Sequence, residues 1–500
     1  MKFLGIDIGT SGTRAVLLDG DGCVVSSATA AHSPFESLHT GWAEQDPVDW
    51  WSAVCSAVPE CLARGKTAPR EISGIGLTGQ MHGLVLLDRD GGVLRPSVIW
   101  CDQRTEVECG EITERVGAAQ LIQLTANPAL TNFTLPKIWW VQKHEPEIWA
   151  RVGAILLPKD YIRLRLSGSR ATDVADASGT LLFDVANREW SRPMIEASRL
   201  NVELLPKVFE SCEISGRVSE EGARATGLRT GIPVVAGAGD QAAGAVGMGI
   251  VRAGAVSATI GTSGVVFAAT AEPVRDPAGR IHTFCHAVPQ RWHVMGVTQA
   301  AGYSLRWFRD QFGAVGDPAQ DAYTRLMTEA SAAPAGADGL LWAPYLMGER
   351  TPHLDPNARG ALVGISATHT RAHVVRAILE GVAFSLRDTL TIFAELKIPV
   401  EFIRLGGGGA RGGLWRQIQA DVYGMPVGVV EAEEGAAYGA ALLAAVGVGN
   451  WTSVENAVDA AVHISKKIEP EPQRVALMNR RYGAYRKLYP ALREIWRDGQ

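Results

Sequence analysis

Apolar and polar positions along the chain fall into two similar series. The first opens with Phe3–Ile8, an apolar run that reaches a Gly-Thr-Ser-Gly turn and resumes over Thr13–Asp19. A Gly20-Asp21-Gly22 turn then leads into a third extended stretch, Val24–Ser27. Asp46 before Pro47 is an N-cap followed by a favourable first helical residue. The helix behind it places Val54, Val58 and Leu62 on one stripe. Ile72–Gly79 reads as a buried strand, and Gly83–Asp88 as one arm of a hairpin turning at Arg89–Gly92. The pattern from Thr105 to about Ser167 reads as helix, and Val234–Asp240 as a short buried strand ending in glycines.

The second series repeats the scheme. A strand–turn–strand unit covers Ala255–Ala271, a third strand lies near His293–Thr298, and a helix starts at about Ala301. A long helical stretch runs from Arg371 to about Leu396. It is followed by a strand at Phe402–Leu405, the glycines Gly406–Gly409, and a helix through Trp415 to Tyr423. Strand Val427–Val430 and helix Gly435–Ala445 complete the series. Strands first and helices after, given twice, predict a duplicated α/β domain. At 500 residues the chain exceeds one ordinary core. The divide falls between Gly244 and Val251, which gives domains over 1–246 and 247–500.

Composition narrows function by exclusion. The formal net charge of −5 is spread out, which argues against nucleic acid as partner. Arg480, Arg481, Arg486, Lys487, Arg493 and Arg497 share a helical pattern with apolar Leu488, Leu492 and Trp496, the signature of a solvated helix face. The seven cysteines form no C-x-x-C pair and no zinc spacing, as in a reducing compartment. An acidic residue, Asp7, comes too early for a signal peptide, and no apolar run is long enough for a bilayer. A cytoplasmic location with no membrane partner is expected.

The chemistry starts with a repeated pentapeptide, Ile-Gly-Thr-Ser-Gly, at Ile8–Gly12 and Ile260–Gly264. A tight turn of glycines and small hydroxyl residues leaves backbone N–H groups open to phosphate oxygens. One copy would be an ordinary hairpin; two predict turns facing each other across a cleft, holding a nucleoside triphosphate from both sides. Asp7 precedes the first turn, where a carboxylate tolerates phosphate only with a cation between them. Mg²⁺ fills that role, taking one or two carboxylates, waters and phosphate oxygens; an Asx-type turn former is the plain alternative. Arg14, past the turn, suits a γ-phosphate oxygen or a solvated strand. Asp240, after Gly237-Ala-Gly239, is placed to face a cleft as a general base. A dinucleotide fingerprint over the same glycines lacks the acidic residue that a ribose requires. Gly406–Gly409 permits close approach of a ligand or is simply a flexible loop. In Gln80-Met81-His82-Gly83, His82 and Gln80 suit sugar hydroxyls and Met81 an apolar wall, although a lone histidine is more often structural.

Taken together these motifs resemble the FGGY family of carbohydrate kinases over nearly the whole chain, and within it the branch acting on D-xylulose. The resemblance rests on Asp7–Gly12, Ile260–Gly264, Phe133–Trp140, the stretch opening at Gly360–Ile365 and closing with His373 to Glu380, Gly348–Pro352, and Gly407–Ala410 with Trp415–Gln417. The branch rests on Gln80–Gly83, Gly41–Pro47 and Leu157–Tyr161. It implies two ribonuclease H-like domains of the actin and hexokinase type with ATP and Mg²⁺ in the cleft. It implies that Asp240 accepts the proton, that Asp7 is important for activity and holds the metal, and that Met81, His82, Asp240 and Gln241 meet the ketose. Thr10, Ser11, Thr13, Arg14, Gly261 and Thr262 would line the phosphates, and Gly407, Gly408 and Ala410 the adenosine. Many members of that branch carry Asn where this chain has Gln241, which moves the amide outward by one methylene. A kinase for another ketose such as ribulose, or for a polyol, fits the same motifs. A non-catalytic actin-like ATP-binding module is the rival from another class, and Asp240 speaks against it. The partners implied are a small sugar and ATP, and a homodimer is compatible with them. Sugar is expected to bind mainly to the first half, with closure of the two halves over ATP.

Overall fold

A computed structural model describes residues 1–313, 315–317, 319–431 and 435–498. Two seven-stranded sheets carry the architecture. In the first sheet, β1 (Lys2–Ile8) pairs antiparallel with β2 (Gly12–Leu18), and β2 with β3 (Val24–Ala31). On its other side β1 runs parallel to β4 (Ile72–Gly79), which is followed outward by β5 (Ile214–Arg217) beyond β6 (Pro233–Val235), giving the order β5-β6-β4-β1-β2-β3. The short β7 (Ala238–Gly239) also pairs with β4. The second sheet repeats this plan with β8 (Gly254–Ile260), β9 (Gly264–Thr270), β10 (His282–Cys285), β11 (Trp292–Thr298), β12 (Val400–Gly407), β13 (Val427–Val430) and β14 (Ile464–Ile468). Its order is β10-β11-β9-β8-β12-β13-β14, so β8, β9, β11 and β12 stand where β1, β2, β3 and β4 stand in the first.

Alternation along the strands explains the layers. Leu4, Ile6, Ile8, Ala15 and Leu17 face helix α1 (Pro47–Arg64), whose Trp50, Val54 and Val58 fill the core there. Asp46 caps α1 by accepting from Val48 N, and Pro47 sits in its first turn. Phe3, Val16 and Leu18 face the opposite way and pack on Ala437, Ala441 and Leu442. In the second half Val256, Ala258 and Ile260 share a core with Ile378 and Val382 of the long helix Arg371–Glu395.

Two features depart from the pattern reading. Val85–Leu87 forms the expected strand, and the turn after it is held by Asp88 Oδ1 accepting from Asp90 N and Gly92 N. Its main partner, however, is the antiparallel strand Ala154–Leu156, inside the stretch read as helix. Helices Glu106–Val116, Ala118–Thr125, α2 (Thr134–His144) and α3 (Pro158–Ser167) occupy much of that stretch. A three-residue apolar run carries no period, so its conformation is set by the neighbouring chain. The second feature is the helix Gly435–Gly447, late in the sequence, which lies on the first sheet. A Cβ on Gly5 or Gly76 would stand 1.9 Å from the carbonyl oxygens of Ala437 and Ala440. These strand glycines exist for backbone contact with a helix.

The halves are joined at a second place. Asn127 Nδ2 donates to Thr283 O (2.8 Å), Cys285 N to Ser178 Oγ (3.0 Å) and Trp292 Nε1 to Val185 O (2.6 Å). No helix among the described residues is long and apolar enough to cross a membrane.

Candidate active site

Three neighbouring parallel strands end at one edge of the first sheet, and each delivers part of the site. The register aligns Asp7 of β1 with Thr78 of β4, and Gly239 of β7 with Gly79 of β4. Asp7, the segment Gln80–His82 and Asp240 therefore emerge side by side. The carboxyl end of parallel strands is where open α/β sheets bind their ligands.

Asp7 has one carboxylate oxygen, Oδ1, buried and without a hydrogen-bond partner among the described residues. Burial, then the Asp240 carboxylate, raises its pKa to about 7 against the opposing pull of Arg14, its partner across the β1–β2 ladder. Asp240 begins helix α4 (Asp240–Gly247). Burial lifts it to about 6, and hydrogen bonds from Gln241 hold it back from rising further. Gln241 Nε2 lies 3.4 Å from Asp240 Oδ1, so the longer side chain folds its amide back onto the base.

The first turn supplies fewer open groups than its sequence suggests. Ser11 is exposed, but the Thr10 hydroxyl donates to Gln80 Oε1 (3.3 Å) and accepts from Trp100 Nε1 (2.9 Å). Gln45 adds Nε2 to Thr10 O at 2.7 Å. Thr13 is fully buried with its hydroxyl 2.9 Å from His32 Nε2, a side chain placed to support the turn rather than to line the cleft.

Met81 and His82 are both buried. His82 takes a left-handed backbone, φ 68°, uncommon for a residue other than glycine, Asn or Asp. Its carbonyl accepts from Lys137 Nζ (2.9 Å) and Thr134 Oγ1 (3.2 Å), which fixes that conformation. Its Nδ1 lies 2.7 Å from Gly179 O; a carbonyl only accepts, so the proton sits on Nδ1 and Nε2 keeps a lone pair. Burial, then Lys137, lowers its pKa to about 3, so the ring is neutral and Nε2 can accept from a hydroxyl. The ring packs edge-on against Phe133 (5.1 Å) and near Phe284 (6.1 Å). Phe284 lies on β10, so the surroundings of the His82 ring are built by both halves. Trp100 and Phe284 went unread in the sequence, and Gln45 and Lys137 lie in stretches that carry the family resemblance but were given no role of their own. A lysine within the apolar run Thr134–Val141 was the one available signal.

On the nucleotide side a cavity of about 440 Å³ is lined by Gly261 and Thr262 of the second turn, Tyr303, Arg306, Gly408 and Trp415. An adjoining cavity of about 590 Å³ runs from Gly407, Gly408 and Ala410 to Asp240 and Gln241. The glycine loop and Asp240 thus share one space. Gly407 has φ 69°, and a Cβ there would stand 2.5 Å from Ile260 O, so only glycine fits. Gly408 meets nothing closer than 3.8 Å and stays open toward the cleft. The second turn is braced from below: Gly302 N donates to Gly261 O (2.9 Å) and Tyr303 N to Thr262 O (3.1 Å). Tyr303 and Arg306 are cavity residues that the motifs did not indicate.

Among the described residues no group of three or more His, Cys, Asp or Glu could hold a metal ion alone. The unpartnered Asp7 Oδ1, beside a second carboxylate, fits a cation whose remaining ligands are waters and phosphate oxygens.

The chain was compared with known proteins. The N-terminal domain model of the FGGY family of carbohydrate kinases matches residues 2–247, and its C-terminal domain model matches residues 256–448. The xylulose kinase of Bacillus subtilis is 38% identical over 99% of this chain and 98% of its own. That of Escherichia coli is 39% identical over 98% of this chain and 99% of its own. A solved xylulose kinase from Rhodospirillum rubrum superposes with a TM-score of 0.91 at 31% identity, covering 99% of this chain and 100% of that one. With both domain models matched in chain order and duplicated sheets of the actin and hexokinase type, the chain belongs to the FGGY family of carbohydrate kinases.

Proposed function

We propose that the protein transfers the γ-phosphoryl group of ATP to the terminal hydroxyl of D-xylulose, giving D-xylulose 5-phosphate and ADP. The observation that carries this reading is the pairing of Asp7 and Asp240 at adjoining strand ends, with Asp240 in the same cavity as the nucleotide-side glycines. The xylulose kinases among its relatives support the choice of sugar. Asp240, held near 6, is ionised at neutral pH yet basic enough to accept a proton. It takes the hydrogen of the sugar hydroxyl as that oxygen bonds to the γ-phosphorus, while the bond to the bridging oxygen breaks and ADP departs. The sugar oxygen is itself the nucleophile, so no covalent enzyme intermediate is required. The Nε2 of His82 orients the ketose by accepting from a second hydroxyl, with Met81 as the apolar wall. Asp7 would hold Mg²⁺, which when bound neutralises the phosphate charge. The remaining work is in-line positioning between the two turns.

A coupled kinase assay over pentuloses, hexuloses and polyols tests this. D-xylulose should show the highest kcat/KM. A clear preference for ribulose or a polyol would reassign the substrate within the family. ATP turnover unaffected by any sugar would instead favour a nucleotide-binding module.

A further inference from the structure

Behind the strand ends that carry the site, five charged side chains are sealed from water: Lys159, Asp160 and Arg163 of α3, then Asp173 and Asp176. Lys159 Nζ stands 2.6 Å from Asp160 Oδ1, 2.8 Å from Asp173 Oδ1 and 3.3 Å from Asp176 Oδ2. Burial alone would lower the Lys159 ammonium, but the three carboxylates hold it above its usual range. Asp176 has both oxygens buried without a hydrogen bond among the described residues, and burial pushes its pKa well up. Replacing such ion clusters with apolar residues commonly leaves a protein as stable or more so, so stability alone is a poor reason for this one.

The cluster's other contacts lead to two places. Arg163 donates to Val235 O (2.8 Å) and to Ala236 O. Asp173 accepts from Ser211, whose carbonyl holds Gly237 N–H at 2.9 Å. Asp176 Oδ1 lies 3.3 Å from where a side chain on Gly239 would begin. These contacts fix the segment that delivers Asp240. Three residues beyond Asp176, Gly179 O holds the His82 ring, and a Cβ on Gly179 would stand 2.7 Å from that ring. Met81 fills the gap between, its Cγ 2.7 Å from the Cβ position of Gly239 and its methyl 3.2 Å from that of Gly179.

We infer that Lys159, Asp160, Asp173 and Asp176 are positioning residues that set the base Asp240 and the sugar contact His82 relative to one another. This rests on the roles given to those two residues above. The test uses the full chain with Asp176→Asn, Gly179→Ala and, as a control, Glu380→Gln, which breaks a buried pair in the other half (Arg376 Nε–Glu380 Oε1, 2.8 Å). Kinetics are measured with D-xylulose and ATP varied separately, alongside sugar-free ATP hydrolysis, well below each unfolding temperature. The first two variants should lose about 10²-fold in kcat/KM for D-xylulose, the typical effect of misplacing reacting groups by an ångström. Their KM for ATP and sugar-free hydrolysis should match the unaltered chain, and Glu380→Gln should lose thermal stability alone. Sugar kinetics unchanged in folded variants, or a loss shared equally by the ATP parameters, would overturn the inference. If Asp176→Asn does not fold, Asp160→Asn decides on the same readouts, since it removes one carboxylate from Lys159 and leaves the other two in place. D-xylulose turnover by the unaltered chain is measured first: its absence refutes the function reading and this inference with it. Its presence alongside unaffected variants refutes the positioning role alone.

Discussion

Replacing Asp7 by Asn should make the sugar-free, nucleotide-free protein more stable while removing its activity. The carboxyl is raised from 3.8 to about 7 on folding, first by burial and then by Asp240. A shift of about three pKa units corresponds to ~4 kcal/mol between the ionised and neutral forms. Asp7 is partly open to the cleft, where water screens it, and halving the figure gives ~2 kcal/mol. The sign follows from the direction of the shift. Below 3.8 the carboxyl is protonated in both folded and unfolded chains and costs nothing. Between there and about 7 the unfolded chain ionises while the folded one resists, so stability falls as pH rises, and the full cost is present above 7. Asn never ionises and escapes that cost. With about 2.1 cal/mol/K per residue of unfolding entropy over a cooperative unit of about 250 residues, ~2 kcal/mol is a rise in Tm of about 4 °C. Thermal unfolding of both proteins at several pH values between about 4 and 8 measures the gap, which should be near zero at the acid end and largest at the basic end. Mg²⁺ with ATP should raise the Tm of the unaltered protein more than that of the variant. A variant no more stable than the parent at pH 8, or a gap indifferent to pH, would show that Asp7 is not held as an uncompensated buried carboxylate.

Three further outcomes are expected. Asp240→Asn should lower kcat by about 10²–10⁴-fold with ATP binding retained; in the parent, kcat/KM should rise as pH climbs through about 6, because only the ionised base accepts the proton. More than about a tenth of parental turnover in that variant would exclude Asp240 as base. His82→Ala should raise KM for D-xylulose in line with about 1–3 kcal/mol for an unpaired buried hydroxyl, and unchanged sugar kinetics would remove His82 from the site. Gly407→Ala should destabilise the protein by about 2 kcal/mol or more, since it combines a left-handed backbone with a 2.5 Å approach to Ile260 O, and wild-type denaturant resistance would refute that account.

The duplicated strand–turn–strand units were legible because a two-residue alternation and an identical pentapeptide are local signals. The pairing of Val85–Leu87 with Ala154–Leu156 was not, since the two segments lie far apart and neither carries a period of its own. Site residues read from motifs, Asp7, His82 and Asp240, gather at adjoining strand ends, whereas the Thr13 hydroxyl is buried against His32. Charges scattered over Lys159, Asp160, Asp173 and Asp176 gave no linear sign that they meet in one buried cluster.

Glycine was the signal that remained unused. Gly5 and Gly76 weaken the strands that hold them, and a glycine inside a strand commonly marks close approach of another backbone. Here both approach the helix Gly435–Gly447, and Gly439 on that helix in turn would place a Cβ 1.8 Å from Ala243 O of α4. That helix therefore touches both the sheet that presents Asp7 and the helix that begins with Asp240. The second half reaches the site again through Phe284, beside the His82 ring. Between these two contacts, α4 and the sheet face carrying Ser257, Thr259 and Phe267 border the cavity of about 590 Å³. Closing that gap would bring the glycine loop toward Asp240 without disturbing the contact of Phe284 with the His82 ring.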